Sequence, residues 1–132
     1  METRREARER ALSLCYELDV RTERLADLLA DLPVPPDEYA VTLTRGVEDH
    51  RDEIDSMIGK FADHWTLDRM PVIDRNLLRL ATYELAHCPD VPAAVAISEA
   101  VALAKQYSTD DSGRFVNGVL SSIRHHLRGD GL

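Results

Sequence analysis

Aromatic residues supply only 5% of this chain and cysteines number two. Cys15 and Cys88 lie far apart, with no CxxC pair anywhere. That excludes a disulfide-stapled secreted scaffold and points to a reduced, cytoplasmic setting. No charged start followed by an apolar run marks a signal peptide. The longest uninterrupted apolar stretch is VPAAVAI, 91–97, far short of the roughly 20 residues a membrane span needs. Glycine and proline, six of each, cluster at boundaries. No run of alternating β-branched residues, internal repeat or low-complexity tract is present, so sheet and solenoid architectures have no support.

Catalytic signatures are missing too. There is no GxSxG, P-loop, GxGxxG or HExxH, which removes the common hydrolase, nucleotide-binding and zinc-protease patterns. The five histidines are His50, His64, His87, His125 and His126. None has a second ligand at i+4, and the adjacent pairs His87-Cys88 and His125-His126 point to different helix faces. No metal site, cofactor or enzymatic activity is expected. The acidic run EDHRDEID, 48–55, lacks the glycine and the closing glutamate of a calcium loop and reads as a solvated helix face. Cys15 reads as a small buried hydrophobe.

What the chain does have is helical periodicity nearly throughout. Its 132 residues suit one domain, expected over 1–128, with a frayed tail at 129–132. Thr3-Arg4-Arg5-Glu6 matches a capping box, after which Ala7, Ala11, Leu14 and Leu18 recur at core spacing. A second helix is expected over Thr22–Leu32, ended by PVPP, 33–36. A long third helix runs from Asp37 towards Trp65, and WTLDRMP, 65–71, reads as a short turn. Pro71 suits the first position of a fifth, nearly all-apolar helix reaching Ala86, which belongs at the centre of a bundle. After HCPDVP comes a helix with Ser98 as candidate cap, then a last helix capped by Asp111 or Ser112. The expected fold is an all-α bundle of about six or seven helices.

The net charge is −8, which by itself argues against a general nucleic-acid binder. The basic groups are nevertheless grouped. Arg4, Arg5, Arg8 and Arg10 crowd the first helical turns, where positive charge opposes the macrodipole. Arg4, Arg5 and Arg8 share one sector of about 100°, and Leu12 and Tyr16 continue the Arg5 edge. Arg75 and Arg79 lie four apart on the fifth helix, and Arg114 precedes Phe115. With the termini packed side by side, these groups make a basic strip carrying two rings, the recipe for single-stranded nucleic acid. Asn117-Gly118 sits inside the last helix, where glycine costs about 1 kcal/mol relative to alanine. A close helix approach at Gly118 is the expected reason, with Asn117 bonding across it.

Three ordered stretches carry a resemblance. VAISEAVALAKQYSTDDSGRFVNGVLSSI, 95–123, RREARERALSLCYELDV, 4–20, and DRNLLRLATYEL, 74–85, resemble the C-terminal signature, the arginine-rich first helix and the central helix of the NusB family of transcription antitermination factors. The resemblance covers essentially the whole chain. It implies an all-α fold of two packed helical halves and no catalysis. It implies pairing with the ribosomal small-subunit protein that doubles as NusE. It also implies binding of boxA-type single-stranded RNA in nascent ribosomal transcripts, and action with RNA polymerase against termination. By motif position, Arg4, Arg5, Arg8, Tyr16, Arg79, Arg114 and Phe115 would lie at or near RNA. Asp111 would modulate that binding, and Asp74 would contact the NusE-like partner. Some family members self-associate, so a homodimer is a further expectation. A pure protein-interaction module remains an alternative. So does an accessory domain akin to those preceding rRNA methyltransferase domains.

Overall fold

The computed structural model describes residues 3–63 and 65–129. Among them are seven α-helices: α1 (Arg4–Arg21), α2 (Leu25–Asp31), α3 (Glu38–Asp49), α4 (Arg51–Phe61), α5 (Val72–His87), α6 (Ala93–Tyr107) and α7 (Asp110–Arg128). A single 3-10 turn, Leu67–Arg69, joins α4 to α5. The all-α fold is therefore as the periodicity implies, with α1–α3 and α4–α7 forming two halves that meet on α5.

The start of α1 follows from its sequence. Thr3 Oγ1 accepts from the Glu6 backbone N–H at 3.1 Å, and Glu6 Oε1 accepts from the Thr3 N–H at 3.0 Å. Thr22 closes the helix in the left-handed conformation, so α2 begins later than expected, behind Arg24. Its Leu28 forms a small outer core with Leu14 and Leu18 of α1. The main core runs from Ala11, Leu12 and Cys15 through Leu43, Val47, Ile54 and Ile58 to Leu77, Leu78, Leu120 and Ile123.

The long third helix is broken. His50 closes α3 and opens α4, with φ −116° and ψ 23°, while its carbonyl still accepts from the Ile54 N–H at 2.9 Å. Val47 and Ile54, on either side of the kink, are both fully buried in the core. Pro71 sits one residue outside α5, α6 starts behind Pro92 with Ser98 in its interior, and Thr109 caps α7. Thr109 wins over Asp111 and Ser112 because its hydroxyl accepts the Ser112 N–H at 2.9 Å. The tail expected to fray lies, beyond Gly129, outside the described residues.

Ten of the sixteen residues of α5 are buried, and five of those are polar: Asp74, Asn76, Arg79, Thr82 and Glu84. One side chain gathers carbonyls from the last turn of α5 and from the loop after it, the Glu84 carbonyl also accepting from the Cys88 N–H at 3.0 Å. Arg128 of α7 donates to the carbonyls of Glu84, Leu85, Cys88 and Val91 at 3.1, 3.0, 3.0 and 2.6 Å. A guanidinium at a helix C-terminus also meets the negative end of the macrodipole.

The glycine expectation is overturned. A Cβ on Gly118 would meet nothing within 4 Å, because α7 packs through Val116, Val119, Leu120 and Ile123 on its other face. Asn117 is likewise exposed. The close approach is at Gly46, where a Cβ would lie 2.2 Å from Cζ of Tyr83. Gly46→Ala should therefore destabilise the fold by about 1–3 kcal/mol through overpacking. Gly118→Ala should stabilise it by up to about 1 kcal/mol through helix propensity. Urea unfolding of the two variants checks this, and equal shifts would contradict it.

Candidate nucleic-acid interface

The arginines gathered by the sequence divide into two groups. Arg8 is buried and grips Glu84 through Nε at 3.0 Å and Nη2 at 2.9 Å. The Tyr39 hydroxyl donates to the same carboxylate at 2.6 Å. Burial and the Glu84 charge together push the Tyr39 phenol well above its ordinary pKa. Burial works against the Arg8 charge, but the Glu84 carboxylate outweighs it and holds the guanidinium protonated. Arg79, also buried, is fixed by Asp55 at 2.8 and 3.0 Å and by Asp19 at 3.2 Å. Arg75 donates to both Asp19 oxygens at 2.7 and 2.9 Å, and the Asn76 amide donates at 3.0 Å. Burial alone would raise the pKa of Asp19, yet the bonds from Arg75 and Asn76 and the charges of Arg75 and Arg79 hold it below the usual carboxylate range. These two clusters bind α1 to α5 in antiparallel order, Arg8 to Glu84 at one end and Asp19 to Arg75 and Arg79 at the other.

The second group faces solvent. Arg4 is exposed, with its guanidinium 3.9 Å above the Tyr39 ring centroid. The Arg5 side chain is 69% exposed although it chelates Glu99 of α6 at 2.7 and 3.2 Å. Arg114 is 73% exposed and paired with Asp111, itself 85% exposed one turn earlier. The Arg114–Asp111 pair, exposed on both sides, contributes little to stability, so that cation is free to exchange partners, whereas the Glu99 carboxylate held by Arg5 is only 14% exposed.

Aromatic rings accompany them. Tyr16 and Tyr107 are exposed and, with Leu12 and Ile73, line a groove of about 560 Å³ between α1, the start of α5 and the end of α6. The Tyr107 hydroxyl donates to Glu9. Phe115 is half-buried and meets the exposed Trp65 edge-on, centroids 6.2 Å apart. The two rings flank a second groove of about 410 Å³, also lined by Arg114 and by Gly118, whose missing side chain leaves it open. Trp65 was not among the expected site residues. The available signal in the sequence was a single tryptophan in a chain with few aromatics.

The termini do not pack side by side. Helix α1 lies on α3 and α5, whereas α7 lies on α6, α5 and α4. They are connected through α6. Arg5 holds Glu99 at its middle and Glu9 holds Tyr107 at its end, about 12 Å further along at 1.5 Å per residue. The α6–α7 corner then passes directly to Asp111 and Arg114. Asp74 sits beneath this corner, only 2% exposed, with Oδ1 unpartnered. Burial raises its pKa, and the hydroxyls of Ser108 and Ser112 partly offset the rise. Its side chain offers no surface to a partner protein; it supports the start of α7.

Among the described residues the chain is a seven-helix bundle with an arginine-rich first helix on a buried central helix and a ring-bearing corner between its last two helices. The NusB family model matches residues 5–125, and the chain belongs to that family. The "Transcription antitermination protein NusB" of Salinispora arenicola is 49% identical, with 96% of this chain and 98% of that protein covered. The protein of the same name from Acidothermus cellulolyticus is 52% identical, covering 94% and 88%. Among solved structures, T. maritima NusB matches with a TM-score of 0.84 at 38% identity, over 94% of this chain and 92% of that one. A NusB chain from a crystal structure of NusB and NusE in complex with dsRNA matches with a TM-score of 0.82 at 33% identity, over 93% and 96%.

The division of the arginines predicts separable effects. Arg8→Ala strands the buried Glu84 carboxylate and should cost about 3–5 kcal/mol of stability; Arg79→Ala should cost less, because Asp55 is partly exposed and Asp19 keeps Arg75 and Asn76. Arg5→Ala and Arg114→Ala should cost under about 1 kcal/mol. Denaturant unfolding of the four variants checks the order. The depressed Asp19 pKa adds a sign: its stabilisation is complete above the ordinary aspartate pKa and is lost as pH falls through the lower folded value. Asp19→Asn should therefore lose stability at neutral pH and show a shallower decline in acid than the parent.

Proposed function

We propose that this protein is a cytoplasmic antitermination factor that acts by binding and not by catalysis. Together with a NusE-like ribosomal small-subunit protein, it takes up boxA-type single-stranded RNA of nascent ribosomal transcripts and helps RNA polymerase resist termination. The observation that carries the pairing with NusE and RNA is the match to the NusB chain solved with NusE and dsRNA, which spans nearly the whole of both chains; the single-stranded form of the RNA rests on the exposed rings. The surface supports it independently: exposed arginines and exposed rings lie along α1 and the α6–α7 corner of an otherwise acidic molecule. No helix among the described residues is long and apolar enough to cross a membrane.

In this reading Arg4, Arg5 and Arg114 meet phosphates, and Tyr16 and Phe115 lie under bases, with Trp65 extending the Phe115 platform. Arg8 and Arg79 act as positioning residues that fix α1 on α5. Asp111 competes with phosphate for Arg114, so it lowers RNA affinity through its charge. Asp74 serves the site only through the α7 start that it supports. Three neutralised phosphates give a salt slope of about −2 for a single strand. On a chain of net charge −8, that is weak binding, which the ribosomal protein has to complete.

Binding of a boxA-like RNA and a scrambled control, measured with and without the ribosomal protein across a salt series, tests this. The boxA-like strand should bind more tightly, and the difference should grow with the partner present. Phe115→Ala should lower affinity roughly 5- to 100-fold, the loss of one stacked base, and leave the fold intact. Asp111→Asn should raise it. Equal affinity for the two RNAs would remove the specific reading.

A further inference from the structure

Away from the arginine and aromatic surface, the kink between α3 and α4 meets the last turn of α5. His50 stands at the kink and Glu53 in the first turn of α4, and His87 is the final residue of α5. The chain separates His87 from the other two by more than thirty residues, which is why ligand spacing along the sequence gives no hint of the cluster. In the fold the two imidazoles stack, centroids 4.1 Å apart and planes 25° apart. Glu53 lies against both: Oε1 is 3.0 Å from His87 Nε2, and Oε2 is 3.7 Å from His50 Nδ1.

The geometry points to a surface site for a divalent transition-metal ion of the Zn²⁺ class, held by His50, Glu53 and His87. One donor atom from each residue lies within 4.8 Å of the other two. Around a tetrahedral ion with bonds near 2.0–2.1 Å, donors stand about 3.4 Å apart, and the ion lies in the plane of each imidazole it binds, so closure needs one ring to turn out of the stack as well as movements of roughly 1 Å, in side chains that are 30–50% exposed. Two imidazoles and one carboxylate leave the fourth position to water, a donor set that suits Zn²⁺ and its neighbours. It does not suit Mg²⁺ or Ca²⁺, which take oxygen ligands almost exclusively.

Two features of the surroundings favour a cation. Asp49 and Asp52 line the same shallow cleft, while Glu48 is already taken by Arg51 at 2.6 Å. The local field is therefore negative. Behind the imidazoles lies Tyr83, with its ring centroid 5.2 Å from His87 and 6.0 Å from His50. Tyr83 itself rests on Gly46, where no Cβ could fit. The ring pair is thus backed by a fixed surface, and an ion bound there would tie the α3–α4 kink to the end of α5.

Calorimetric titration of the untagged full chain with Zn²⁺, repeated with Mg²⁺, tests the site. The expected result is one Zn²⁺ per chain, no Mg²⁺ binding, and a thermal midpoint raised by a few degrees with Zn²⁺, since an ion that binds only the folded state stabilises it. His50→Gln, Glu53→Gln and His87→Gln should each weaken Zn²⁺ at least tenfold while keeping the parent circular dichroism spectrum. Cys88→Ser and His126→Gln should leave it unchanged. Unaltered Zn²⁺ affinity in the three site variants, or no Zn²⁺ binding by the parent, would overturn the assignment and leave the cluster as a carboxylate shared between two imidazoles.

Discussion

The antiparallel seating of α1 on α5 governs where every exposed group of interest ends up. It is fixed by charge at both ends, through Arg8 on Glu84 and through Asp19 on Arg75 and Arg79. Between them Ala11, Leu12 and Cys15 are buried in the core. Buried pairs stabilise little relative to an apolar core, but removing one member leaves a stranded charge. They therefore act as a register device. Slipping α1 by one turn would unpair two clusters at once, and with them the direction in which Arg4, Arg5 and Tyr16 face.

From that register the functional surface follows. Arg4 and Arg5 share the Arg8 sector of α1 but lie about one turn nearer its N-terminus, where they reach solvent and Arg5 meets Glu99 midway along α6. The length of α6 carries the surface to Tyr107 and on to the α7 corner, where Arg114 and Phe115 stand. Few cations are involved, and the rest of the molecule repels phosphate. A chain built this way gains selectivity from ring stacking and from a protein partner more than from bulk electrostatics. The open groove beside Gly118 matters here. A side chain at that position would narrow the space between Phe115 and Trp65, so the helix-propensity cost of glycine is set against an accessible ring pair.

Much of the scaffold was legible because it depends on local chemistry. The Thr3–Glu6 box, the central apolar α5 and the last helix all rest on spacing within one turn or one face. Gly46 and Gly59 offered a bend in the long third helix, but its place was not legible: nothing at 48–52 breaks a helix, and the kink falls at His50. Arg8 and Arg79 read as surface cations because periodicity places them beside Arg5 and Arg75. Only the fold reveals the carboxylates, Glu84 and Asp55, that draw them inward. Gly118 was misread for the same reason, since sequence cannot tell a glycine under a neighbouring helix from one lining a groove. The His50, Glu53 and His87 cluster joins residues that no local pattern connects.

Arginine side-chain NMR during titration with a boxA-like RNA and the ribosomal protein tests the division of the arginines most directly. The Nε–Hε signals of Arg4, Arg5 and Arg114 should shift on RNA binding, while those of Arg8 and Arg79 stay where they are. Movement of the Arg8 and Arg79 signals with the exposed arginines silent would contradict the account.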